Sequence, residues 1–126
     1  MRVQIKATVI ELTPAIEEYA RKRLESLEKY FRSEDPDSVW ASVEVAKTTR
    51  HHKSGDVFKA EIFLRANGKE YYAVSEEEDL YTAIDNVKDR LGHEVSSWKE
   101  RSKTLFRKGG ARVKNLIKRF NWKQNN

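Results

Sequence analysis

Val3, Ile5, Ala7 and Val9 alternate with Arg2, Gln4, Lys6 and Thr8, the period-2 pattern of a half-buried strand. Thr13-Pro14 follows, with Thr suited to an N-cap and Pro to the first helical position, where its missing N–H costs nothing. Ile16, Ala20, Leu24, Leu27 and Phe31 then share one stripe, predicting a helix to about residue 31. Ser33-Glu34-Asp35-Pro36-Asp37 turns the chain. Alternation returns at Val39, Ala41, Val43 and Val45 for a second strand, and a polar, basic loop spans Lys47–Gly55. Phe58, Ala60, Ile62 and Leu64 mark a third strand. Asn67-Gly68 is a two-residue hairpin signal leading into a fourth strand over 69–74. That turn sets the register, so that Leu64 faces Tyr71 and Ile62 faces Ala73. Ser75 and Glu78 read as a capping box, with Glu76, Glu77 and Asp79 suited to the positive end of a helix dipole. Leu80, Ile84, Val87, Leu91, Val95 and Trp98 keep helical spacing to roughly residue 104. Lys108-Gly109-Gly110 breaks the pattern, and Val113, Leu116, Ile117 and Phe120 form one short amphipathic stripe among basic residues.

The order β-α-β-β-β-α predicts an α+β two-layer sandwich: a four-stranded sheet with both helices on one face, followed by a basic tail. This is the element order of double-stranded-RNA-binding folds and differs from that of RRMs, which end in a strand. The expected division is a folded body over 1–106 and a basic amphipathic tail over 107–126, mobile when free and folding on binding.

Composition sharpens this picture. The chain has 126 residues, one domain's worth, and 36% of them are charged. No apolar run approaches a membrane span, the N-terminus lacks the apolar block of a signal peptide, and there is no cysteine. A cytoplasmic protein that engages no membrane is expected. Lys and Arg number 25 against 20 Asp and Glu, for a net +5. Residues 1–100 carry −4, and residues 101–126 carry +9 with no acid at all. The basic character therefore belongs to the tail, and any nucleic-acid surface on the body must be local.

Little supports catalysis. His51 and His52 adjoin in the predicted loop, where neighbouring side chains diverge, so they make a poor metal site. With Arg50 and Lys53 they are solvated loop residues or an RNA-contacting loop. The acids at 76–79 are explained by the helix start. No phosphate loop, nucleophile motif or zinc signature is present. No active site, cofactor, metal or small-molecule substrate is expected.

Binding has more support. On the first helix, Lys22, Arg23 and Lys29 share one flank with Tyr19 and Tyr30, while Glu17, Glu25 and Glu28 lie opposite. Either these are phosphate contacts, or Arg23 snorkels over the tyrosines beside ordinary solvated lysines. On the last helix Arg90, Ser97 and Arg101 form one edge, with His93 a little further round, a stripe that any long polar helix can carry by chance. With the helices side by side, the two basic edges would meet in a positive groove. Trp40, Phe63 and Tyr72 alternate opposite to the core residues, which places them on the uncovered sheet face. There they could stack bases, form a dimer interface or pack across strands; packing of Phe63 on Tyr72, or an interface, is the favoured reading.

Several segments together resemble one family. These are Ile5…Glu11-Leu12-Thr13-Pro14-Ala15-Ile16, Leu27-Glu28-Lys29-Tyr30-Phe31, Val43-Glu44, Asn67-Gly68 and above all Glu78-Asp79-Leu80-Tyr81-Thr82-Ala83-Ile84-Asp85. Over roughly residues 1–104 the chain is similar to the ribosome hibernation-promoting factors, which include the ribosome-associated inhibitor proteins (the S30EA, or sigma-54 modulation, family). The resemblance implies a non-enzymatic protein of bacterial or plastid type. It implies binding to the small ribosomal subunit, through 16S-type rRNA and neighbouring ribosomal proteins, over the tRNA and mRNA sites. Translation would thereby be repressed under stress or in stationary phase.

Carried over by position, the resemblance implies rRNA contacts at Arg23, Arg90 and Lys99. The full expected set is Lys22, Arg23, Lys29, Arg90, His93, Lys99 and Arg101. A secondary loop adds Arg50, His51, His52 and Lys53, and the tail adds Arg112, Lys114, Lys118 and Arg119. Relatives often carry a basic residue where this chain has Ser26, His93 and Ser97, and the tail is basic where inhibitor-type relatives have an acidic one. The free protein is expected to be monomeric. Two rivals remain: a module that dimerises through the aromatic sheet face, and a general binder of double-stranded RNA.

Overall fold

The computed structural model describes residues 1–31, 35–49 and 55–107. Four strands, β1 (Arg2–Thr8), β2 (Trp40–Thr49), β3 (Asp56–Ala66) and β4 (Lys69–Glu77), form one sheet in the order β1-β2-β3-β4. Two helices, α1 (Pro14–Glu25) and α2 (Leu80–Arg107), pack on the same face of it. The first pair is parallel because α1 carries the chain back between β1 and β2; the other two pairs are antiparallel. This is the expected β-α-β-β-β-α two-layer architecture. Among the described residues no helix is long and apolar enough to cross a membrane.

The hairpin falls where its turn residues place it. Asn67 and Gly68 both have positive φ, 55° and 75°, as a type I′ connection requires. Leu64 pairs with Tyr71 and Ile62 with Ala73. The helix-covered face of the sheet is Ala41, Val43, Val45, Ala60, Ile62, Leu64, Ala66, Tyr71 and Ala73, all buried. Ala20, Leu24, Leu27 and Phe31 descend on it from the first helical segment, and Leu80, Ile84, Val87, Leu91 and Val95 from α2.

The opposite face is open. Its rows across the strands are Arg2–Trp40–Arg65–Glu70, Gln4–Ser42–Phe63–Tyr72, Lys6–Glu44–Glu61–Val74 and Thr8–Ala46–Lys59–Glu76. Phe63 and Tyr72 pack across the strands with ring centres 4.6 Å apart. This is the cross-strand contact read from the alternation.

Four local readings are corrected. The strand alternation stops at Thr8. Val9 turns to φ 68° and is 79% exposed, a left-handed conformation that costs a β-branched residue roughly 1–2 kcal/mol. The first helix keeps α geometry only to Glu25 and continues as a 3-10 helix over Ser26–Phe31. The tighter winding holds Leu27 and Phe31 on the core side, and the Ser26 hydroxyl donates to the Arg23 carbonyl at 2.6 Å. Lys47, Thr48 and Thr49 belong to β2 and pair with Phe58, Val57 and Asp56; residues 50–54 of the expected loop lie outside the described residues.

The last correction concerns the start of α2. Ser75 is a core position of β4, 1% exposed, its hydroxyl without a hydrogen-bond partner among the described residues. The cap is Asp79, whose carboxylate accepts from the Thr82 N–H at 2.9 Å and the Thr82 hydroxyl at 3.0 Å. The strand outcompetes the capping box because Ser75 aligns with Ala60 of β3 inside the ladder. Thr13 does cap α1, accepting from the Ile16 N–H at 3.2 Å with Pro14 next.

The two cap assignments are separable by mutation. Asp79→Ala should cost about 1 kcal/mol, read as a lower Tm, through loss of the cap. Ser75→Val should be neutral or stabilising, because no hydrogen bond is lost and a buried orphan hydroxyl is removed. The reverse ranking in thermal melts would restore the capping box.

Candidate nucleic-acid interface

The two helical segments meet along a seam built by side chains of opposite polarity. Asp85, on the second turn of α2, accepts from the Tyr19 hydroxyl at 2.8 Å and from Arg23 Nε at 2.7 Å. Arg23 Nη2 donates to the Tyr19 oxygen at 3.0 Å, and its guanidinium lies 4.6 Å from the Tyr19 ring centre. Tyr81 closes the end of the seam, edge-on to Tyr19 at 4.8 Å. The hydrogen bond to Tyr19 first, then the bond and charge of Asp85, raise the Arg23 pKa further above its ordinary value. Arg23 is thus a permanent cation held in place and still 42% exposed.

Two turns further along α2, Gly92 lets the segments come close. A Cβ there would meet Leu27 Cδ2 at 3.4 Å and the Tyr30 ring at 3.6 Å. A glycine in mid-helix costs about 1 kcal/mol against alanine, and here that cost accompanies close approach. Above the contact opens a polar cleft of about 330 Å³, with Ser26 and Lys29 on one wall and Lys88, Asp89, His93 and Ser96 on the other. At its far end Lys99 donates to the Tyr30 carbonyl at the end of the 3-10 helix, its amine 5.0 Å from the Phe31 ring centre.

The seam splits the expected residues into two groups. Arg23, Lys29, His93 and Lys99 border it, and Lys22 projects beside it, exposed and paired with Glu18 at 3.2 Å. Arg90 and Arg101 do not. Arg90 Nη1 donates to the Val74 carbonyl of β4 at 2.6 Å, and Arg101 lies near Lys69, where its charge is felt. The pictured meeting of the Arg90/Arg101 edge with the first helix therefore does not occur. Asp85, Gly92 and Lys99, seven residues apart, face the first helix, which turns Arg90 and Arg101 toward the β4 edge.

Lys88 belongs to the cleft and was missed, although it stands three residues after Asp85 on the same flank; its amine pairs with Asp89 at 2.7 Å. The clearest available signal was Gly92, an isolated glycine inside a helical pattern. Arg50, His51, His52, Lys53, Arg112, Lys114, Lys118 and Arg119 lie outside the described residues.

The β4-side flank has its own electrostatics. Lys69, half-buried, sits with its amine 3.3 Å from the Trp98 ring centre and 5.3 Å from that of Tyr71. Burial, then the charge of Arg101, pull its pKa down to about 7, with Glu94 opposing. An unfolded lysine titrates near 10.4, so between pH ~7 and ~10 the folded chain binds fewer protons, and stability contributed by Lys69 rises with pH. The Tm of the wild-type chain minus that of Lys69→Met should therefore increase from pH 7 to pH 10. A flat difference would remove this account.

Comparison with known proteins places this geometry in context. A family model described as "Sigma 54 modulation protein / S30EA ribosomal protein" matches residues 3–103. The chain is 30% identical over 103 residues to the Ribosome hibernation promoting factor of Escherichia coli K12, covering 82% of this chain and 98% of that protein. It is 32% identical over 112 residues to the protein of the same name from Azotobacter vinelandii, covering 89% and 94%. Among solved structures it is similar to the Protein Y N-terminal domain of Thermus thermophilus, with TM-score 0.66 and 27% identity over 78% of this chain and 99% of that one. A ribosomal subunit interface protein from Coxiella burnetii shares the fold at 18% identity and TM-score 0.56, covering 79% of this chain and 99% of that one.

Proposed function

The chain belongs to the Sigma 54 modulation protein / S30EA ribosomal protein family, and on that footing we propose that it is a ribosome hibernation promoting factor. It is a non-enzymatic protein that regulates translation by binding ribosomes. The observation that carries the reading is coverage: nearly the whole of the Escherichia coli relative aligns with this body, so the match extends well beyond one shared motif. Binding ribosomes places the protein in the cytoplasm.

The partner in this reading is the small subunit, over its tRNA and mRNA sites, and the protein reaches it as a monomer. What supports this is the cationic rim of the helix seam. Lys22 and Lys29 are exposed, and Arg23 is held in place by Asp85 and Tyr19 with its side chain half-exposed. Their contacts would go to rRNA phosphates, which need charge and shape and no base recognition. Exchanging the exposed Lys22–Glu18 pair for a phosphate sacrifices little, since such surface pairs contribute at most about 1 kcal/mol. Lys99 and His93 extend the rim, Arg90 and Arg101 form a second contact strip on the β4 side, and the 50–53 loop and tail cations add to them.

Occupancy alone then suffices for repression. A folded body seated where tRNA and mRNA pass excludes both without a chemical step. The −4 body is no obstacle, because phosphates respond to local potential more than to net charge.

Co-sedimentation with small subunits through sucrose gradients at two salt concentrations tests the reading. Association should be tight at low salt and weaken steeply as salt rises; its absence at low salt overturns the proposal. Lys22→Glu with Lys29→Glu should weaken binding at least about tenfold and shallow the salt dependence by roughly one unit of log–log slope per lost contact, with Tm nearly unchanged. His51→Ala and His52→Ala should matter less. An excess of A-form RNA duplex should fail to displace the protein, which separates it from a general duplex binder.

A further inference from the structure

The cleft above Gly92 has more room than a contact with an RNA backbone requires. Its volume, about 330 Å³, lies at the lower end of the roughly 300–1,000 Å³ range of ligand pockets. The room exists because α2 has no side chain at residue 92. A Cβ there would already touch Leu27 and Tyr30, and a longer side chain would take up the floor of the cleft.

The chemistry of the lining selects the kind of ligand. Among the described lining residues two cations, Lys29 and Lys88, outnumber one carboxylate, Asp89, which Lys88 already neutralises at 2.7 Å. Ser26, Ser96 and His93 add hydroxyls and an imidazole. An apolar ligand would leave these groups without partners, and a cation would be repelled. Tyr30 supplies an aromatic ring. Its carbonyl is held by Lys99, and the Lys29 amine lies 5.2 Å from its ring centre. Amines for a phosphate, hydroxyls for a sugar and a ring for a base match the three parts of a nucleotide. A lone phosphate would leave the ring and most of the volume unused. In a duplex the bases are paired and stacked inside, so only an unpaired nucleotide presents all three parts together.

We infer that the cleft is a binding site for a single unpaired nucleotide, its phosphate between Lys29 and Lys88 and its base against Tyr30. An unpaired nucleotide of rRNA and a free nucleotide share this chemistry. Only the rRNA source rests on the ribosome reading; the site itself does not.

Adenosine monophosphate titrated into the isotope-labelled full chain tests the site. The amide signals of Ser26, Lys29, Gly92, His93 and Ser96 should shift saturably, while those of Trp40, Phe63 and Tyr72 stay in place. Adenosine and inorganic phosphate should each bind at least about fivefold more weakly, since each forfeits part of the contact. Inorganic phosphate binding as tightly as the nucleotide would reduce the cleft to a general anion site and overturn the inference. Absence of the shifts would overturn it as well. Ser96→Trp, at an exposed position of α2, should fill the cleft and abolish the shifts without changing charge. Lys29→Gln with Lys88→Gln should weaken nucleotide binding at least about tenfold. An unchanged Tm shows that both variants fold, and undiminished nucleotide binding in either overturns the inference.

Small subunits then distinguish the two sources. With rRNA as the source, Ser96→Trp should bind subunits at least about fivefold more weakly than the wild type. Equal subunit binding beside lost nucleotide binding would support the site with a free nucleotide as its ligand. A wild-type chain that binds adenosine monophosphate and no subunits would overturn the ribosome reading and support the nucleotide site alone.

Discussion

The carboxylate of Asp85 is the point on which the arrangement of the helical layer turns. It receives Tyr19 and Arg23 together, and in doing so fixes which flank of α2 faces the first helix. Everything further along follows from the helical repeat. Gly92 comes to the place where Leu27 and Tyr30 press closest, and Lys99 to the carbonyl end of the 3-10 segment. Arg90 and Arg101 are sent to the other side. The motif containing Glu78–Asp85 is thereby explained in structural terms. Asp79 caps the helix, Leu80, Ala83 and Ile84 enter the core, and Tyr81 and Asp85 grip α1. In this chain the segment is a device for docking one helix on another.

Under the proposed function, Arg23 would combine a stabilising and a binding role in one side chain. An exposed ion pair contributes little by itself, but this one is braced by a hydroxyl and a ring. The bracing restricts the rotamers of a long side chain, so less entropy remains to be lost when an anion arrives. Lys22 has only the exposed Glu18 carboxylate at 3.2 Å and Lys29 the Tyr30 ring at 5.2 Å among the described residues, looser contacts than the bracing of Arg23. The rim therefore combines one oriented cation with several compliant ones.

The strands and helices were legible in sequence wherever a period was sustained or a turn dictated geometry. Asn67-Gly68 specified pairing residue by residue because its positive φ values admit few connections. Legibility failed where two local rules competed. Ser75 satisfies a capping pattern and a strand register equally well on paper, and only the ladder against Ala60 decides between them. Val9 continues an apolar alternation that the chain abandons one residue earlier. In the candidate interface, each helix's flanks could be computed from its own repeat, and Lys22, Arg23 and Lys29 emerged together. The rotation of one helix against the other could not, since it depends on a contact between residues 62 positions apart. That contact is what sends Arg90 to the β4 side and brings Lys88 into the cleft.

The pairing of β1 with β2 has a consequence for how the chain is made. β3 and β4 are joined by two residues, whereas Arg2 of β1 must wait for Trp40 before its first partner exists. Closing that longer loop costs more entropy, and contacts of high sequence separation form late. β1 thus precedes its partner in the chain by some 40 residues and is among the last strands to find its place, its edge unpaired during the interval. Arg2 and Lys6 along that strand are the kind of charged residues that keep an unpaired edge from joining a neighbouring chain. During synthesis, then, β1 emerges with its sheet edge unmatched and guarded only by its own charges until some 40 further residues have followed it.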